Sequence, residues 1–162
     1  MKALFAAAAA ATLLAGPVAL AQDQSADSSA DNMAIVREKV RADKKLLVAT
    51  NMQLTEQEAA AFWPVYEAYQ KEISELNARV LKAIESYADV YNQGTVPDDV
   101  AKKLLDEVLD IDSDEVALRK SYVPKFSKVL PAGKVARYYQ IESKIRTAVK
   151  AELASGIPLI TQ

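Results

Sequence analysis

Residues 55–91 read TEQEAAAFWPVYEAYQKEISELNARVLKAIESYADVY, and the spacing of their apolar side chains decides the fold. Phe62, Tyr66, Tyr69, Ile73, Leu76, Val80, Ile84, Tyr87 and Tyr91 step by three and four, the recurrence that lines one side of an α-helix. Thr55-Glu56-Gln57-Glu58 has the form of a capping box. The Thr55 hydroxyl can accept from the Glu58 N–H, and the Glu58 carboxylate can reach back to the Thr55 N–H. The spacing therefore predicts one long helix from this cap to about Tyr91.

Working outward, Asn92-Gln93-Gly94-Thr95 breaks the pattern, and Pro97 suits the first turn of the next helix. Val100, Leu104, Val108, Ile111, Leu118 and Tyr122 form a main stripe there. Leu105, Leu109, Val116, Val123, Phe126 and Leu130 form a second one beside it, so this helix is expected to contact more than one neighbour. Pro131 opens a last helix carried by Val135, Tyr138, Ile141, Ile145 and Val149, with Gly156 and Pro158 as its stop. Met33, Val36, Val40 and Leu47 mark an earlier helix over 32–49. The fold class is all-α: a long antiparallel helical hairpin with a shorter helix at each end. Pro64 and Pro124 lie equally far from Gly94, so the hairpin is expected to be kinked at one level.

The N-terminus has another character. Lys2, an apolar run over Ala3–Gly16, and Ala19-Leu20-Ala21 before Gln22 give the order of a cleavable export signal, with cleavage between Ala21 and Gln22. The expected organisation is a signal over 1–21, a polar leader over 22–31, one helical domain over 32–156 and a tail over 157–162. No stable membrane insertion is expected after cleavage. Export usually permits disulfides, yet the 162 residues contain no cysteine, so packing alone must hold the fold. Histidine is also absent, which removes the commonest general base and metal ligand. These absences point away from an enzyme and away from any metal or cofactor.

Asp110, Asp112, Asp114 and Glu115 superficially open a calcium loop, but the sixth and twelfth positions are Glu115 and Ser121 rather than glycine and glutamate. A solvated acidic helix face is the expectation. Glu67/Lys71, Glu75/Arg79, Asp99/Lys103 and Glu115/Arg119 have the acid-first i,i+4 spacing of exposed helix pairs. Charge is segregated along the chain: residues 32–50 carry a net +3, 55–115 a net −10, and 116–162 a net +7. Acidic and basic helices can then pack as neighbours. The same segregation can leave a basic face for acidic partners, with Arg37, Arg41 and Lys44 on the first helix and Lys134, Arg137 and Lys144 on the last. Trp63 and Tyr139 fall beside the stripes and are expected to be exposed there. The acidic isoelectric point, about 5.3, argues against nucleic acid as partner.

Leu54-Thr55-Glu56-Gln57-Glu58, opening a helix after an export signal and linker, resembles the Leu-Thr-x-x-Gln (LTXXQ) motif of the Spy/CpxP-like periplasmic proteins. That family carries the motif twice. Leu130-Pro131-Ala132-Gly133-Lys134 stands at the second place, with Ala60, Phe62, Trp63 and Val65 aligning to Ala136, Tyr138, Tyr139 and Ile141. The glutamine position is Glu58 in one copy and Lys134 in the other, opposite charges that can pair, and Pro131 replaces the second threonine. The resemblance implies a thin, curved helical protein of the periplasm. Its members act as ATP-independent chaperones or envelope-stress modulators, often as cradle-shaped dimers that bind unfolded clients on a basic, partly apolar face. Unfolded or partly folded exported proteins and a second copy of the chain are thus the implied partners. An envelope adaptor that binds one folded partner by helix packing is the alternative.

Overall fold

Thr55 adopts extended backbone and closes the expected capping box: the Glu58 N–H donates to Thr55 Oγ1 at 3.3 Å, and the Thr55 N–H donates to Glu58 Oε2 at 2.8 Å. Two of the orphan donors at the helix start are thereby satisfied. The computed structural model describes residues 39–160, which form two units divided between Lys44 and Lys45. The expected signal (1–21), its Ala21/Gln22 cleavage site, the leader (22–31) and Arg37 lie outside the described residues.

The described residues are all-α. Helix α1 covers 39–52, α2 Glu56–Asn92, α3 Asp98–Ser127 and α4 Ala132–Gly156. The described part of α1 runs three residues beyond the expected end. It stops where Gln53 takes φ 50°, a left-handed conformation that closes helix ends but costs a residue bearing a Cβ. Between α2 and α3, Gly94 takes φ 100°, which glycine adopts without penalty, and its N–H donates to the Tyr91 carbonyl at 3.0 Å.

Contacts within the unit from Lys45 onward show how its helices run. Phe62 meets Phe126, Tyr69 meets Tyr122, and Arg79 pairs with Glu107 and Asp114, so α2 and α3 are antiparallel. Helix α4 runs beside them in the direction of α2. It meets α2 at Phe62–Tyr138 and Gln70–Glu142, and α3 at Arg119–Tyr139, Glu115–Arg146 and Asp112–Lys150. The expected pair of long helices thus has a third helix along its length. At 37 and 30 residues, α2 and α3 are about 55 and 45 Å long from the 1.5 Å rise.

Pro64 and Pro124 are both interior to their helices and flank the Phe62–Phe126 contact, which puts them at one level. The core lies at that level. Phe62, Tyr66, Tyr69, Tyr122, Phe126 and Tyr138 are almost completely buried there, joined by Val48 and Met52 from the end of α1. Towards the turn the α2 stripe is only half-buried, with Ala83 of α2 and Ile111 of α3 the buried exceptions.

Candidate functional site

Aromatic side chains dominate the core, where large rings from α2, α3 and α4 meet. Phe126 is the centre, with ring centroids of Phe62, Tyr69, Tyr122, Tyr138 and Tyr139 between 4.7 and 6.1 Å away. Four of the buried rings are tyrosines, and the hydroxyls of Tyr122 and Tyr138 take polar partners. Tyr138 accepts from Gln70 Nε2 at 3.3 Å, and the same amide donates to Glu142 Oε1 at 3.0 Å. Glu142 is only 5% exposed. Burial, then the Glu142 charge, hold the phenols of Tyr69 and Tyr138 above their ordinary value. Tyr122 is pushed up to about 12 by burial and by its hydrogen bond to Glu72. All three stay protonated at physiological pH.

The start of α4 grips the end of α1. Lys134 Nζ pairs with Glu58 and donates to the Gln53 carbonyl at 3.1 Å, while Arg137 Nε donates to the Asn51 carbonyl at 2.6 Å. The last carbonyls of a helix lack internal partners and carry the negative end of its dipole, so two cations are favoured there. The Lys134 ammonium, followed by the Thr55 N–H, holds the Glu58 carboxyl below its ordinary range. The two motif copies are therefore adjacent: Glu58 pairs with Lys134, and Phe62 packs edge-on against Tyr138 at 5.2 Å.

These contacts correct the expected basic surface. Lys134 and Arg137 are committed within the unit to α1 and α2. Trp63 is half-buried, packed on Phe62 and Tyr66 with Lys45 Nζ 5.2 Å from its ring. Tyr139 is also half-buried and donates from its hydroxyl to the Arg119 carbonyl at 2.7 Å. Neither ring is the exposed one expected from its place beside a stripe. Lys144 is exposed, as is Arg41 on α1, and Lys44 is half-buried. The pairs expected within helices are mostly pairs between them: Glu67 takes Lys45, Arg79 takes Glu107 and Asp114, and Glu115 takes Arg146 and Lys150. Asp99–Lys103, at 3.6 Å, keeps its i,i+4 form. The Asp110–Glu115 run is helical, and three of its carboxylates hold Arg79, Arg146 and Lys150, so it is not laid out as a calcium loop.

The surface that sequence reasoning missed is on α3. Leu105, Val108, Leu109, Val116 and Val123 are 42–57% exposed. Four of them belong to the second stripe, which was expected to be covered by a neighbouring helix. Only its end, Phe126 and Leu130, enters the core. The signal was the width of the apolar face, and the error lay in assigning every stripe a partner within the chain.

Fold and site define a small all-α protein with an aromatic core at one end and an uncovered apolar row along its second long helix. Among the described residues no cluster of potential metal ligands occurs. The chain matches no protein-family model, no characterised protein and no solved structure.

Proposed function

We propose that this is a non-enzymatic, cofactor-free exported protein of the periplasm that binds unfolded or partly folded exported proteins without ATP. It would act as a chaperone or envelope-stress modulator of the Spy/CpxP-like kind. The observation that carries the reading is the α3 row, where Leu105, Leu109, Val116 and Val123 are exposed among Lys102, Asp106, Lys120 and Lys125. An apolar row broken by charges offers short-lived contacts to exposed apolar segments, and the surrounding charges keep the surface soluble. The export-signal order at the N-terminus and the motif at Thr55 support the same reading. Of the basic residues expected to attract clients, Lys134 and Arg137 are occupied within the fold and Lys144 is exposed.

The 4-7-7 spacing of Leu105, Leu109, Val116 and Val123 also fits docking of a single partner helix, which supports the adaptor reading. One experiment separates the two. Citrate synthase and another unrelated protein are heated with the purified chain, and light scattering is followed. Suppression of both, reduced several-fold by Leu105→Ser/Leu109→Ser at an unchanged unfolding midpoint, supports the chaperone. No suppression, with retention of one folded partner on the immobilised chain, supports the adaptor and rejects the chaperone.

A further inference from the structure

Helix α4 is held in two different ways along its length. Its first half sinks Val135 and Tyr138 into the core, with Ile141 and Ile145 packed against it. From Arg146 to Gly156 it has no buried side chain, and Val149 is 53% exposed. Leu153 and Ile157 are half-buried there, and the side-chain bonds from that second half to α3 are ionic. Arg146 Nε lies 3.1 Å from Glu115, and Lys150 Nζ lies 2.8 Å from Asp112 and 3.1 Å from Glu115. Just beyond the helix, the Tyr87 hydroxyl of α2 donates to the Pro158 carbonyl at 2.8 Å.

We infer that residues 146–158 form an electrostatic strap that opens on α3 and α2 by itself, while the rest of the fold stays closed. Local opening is favoured wherever few apolar groups are buried, because little hydrophobic free energy is lost. Here the closed state rests on two carboxylates, Asp112 and Glu115, the second of which bridges Arg146 and Lys150. The Lys150–Asp112 pair is more than half exposed and open to screening by salt, whereas Glu115, only 15% exposed, is less so. Ionic strength thus becomes the variable to which the strap answers. Opening bares the Asp112 and Glu115 carboxylates of α3 between Leu109 and Val116 of the exposed apolar row. The core end of α4 stays anchored by Tyr138 and by Lys134 and Arg137 on the end of α1.

Hydrogen exchange read by mass spectrometry on the purified chain tests this without any client, so its result is separate from that of the chaperone reading. Raising sodium chloride from about 0.05 M to about 1 M shrinks the screening length about threefold or more. Amides of 147–156 should then exchange roughly three- to ten-fold faster, with those of 62–75 and 135–142 unchanged. Lys150→Gln at low salt should reproduce the effect, and Lys150→Arg should retain protection. Protection of 147–156 that ignores both salt and Lys150→Gln would overturn the strap. So would an equal loss across all four helices, since the charges would then serve the whole fold.

Discussion

Phe126 is fully buried and has five aromatic neighbours, so Phe126→Ala tests the core most directly. Returning the ring to solvent forfeits about 2–3 kcal/mol of transfer free energy. The void adds a second loss. At about 24 cal/mol per Å3, an uncollapsed cavity of about 80 Å3 costs about 2 kcal/mol more. The rings around Phe126 come from α2, α3 and α4, so collapse would require helices to move together, and little of the void should close. The expected cost is about 4 kcal/mol, a fall in Tm of about 12–20 °C for a domain of this size. Trp63 is the only tryptophan and lies 5.0 Å from the Phe62 ring, so its fluorescence reports the same core during urea unfolding. Val123→Ala, three residues earlier on the exposed face, is the control and should cost under about 1 kcal/mol. A loss below about 2 kcal/mol for Phe126→Ala at an unchanged urea slope would refute the argument that these rings form one tightly packed layer.

Removing the cap hydroxyl in Thr55→Ala should cost about 1 kcal/mol, and an unshifted urea midpoint would show that the cap contributes nothing. Gln53→Gly should gain about 0.5 kcal/mol, since glycine takes φ 50° freely while its own chain entropy offsets part of the relief; a lower Tm would contradict this. The lowered Glu58 carboxyl sets a pH dependence. Its contribution is present above the ordinary glutamate value near 4.5 and is lost as pH falls through the lower folded value. Comparison of urea midpoints at pH 7 and pH 3 should accordingly show a smaller acid-induced loss in Lys134→Met than in the wild type. Equal losses would remove Lys134 as the cause.

Helices, caps and breaks were legible in the sequence because each depends on residues within a turn or two. The Thr55–Glu58 box, the α2 stripe, the Asn92–Thr95 break and the start of α4 after Pro131 all stand where local spacing puts them. Even the pairing of Glu58 with Lys134 followed from aligning two segments and counting from the turn. Charge segregation also came through in one respect: acidic α3 and basic α4 are joined at Asp112, Glu115, Arg146 and Lys150.

Only the tertiary structure decided which faces are covered. Periodicity marks an apolar stripe but not the number of helices available to meet it, and two stripes on α3 compete for the neighbours present. The Tyr122 side is covered, whereas Leu105, Leu109, Val116 and Val123 remain in solvent. The same limit applies to the cations. Lys134, Arg137 and Lys150 look alike in sequence, yet the first two close the end of α1 and the third holds α4 to α3. An ammonium or guanidinium reaches its partner through space, across separations of 38 to 86 residues here, and no local pattern records that distance. Helix formation is a short-range free-energy balance read from neighbouring residues, whereas burial and ion pairing are settled only when all the helices compete for the same space.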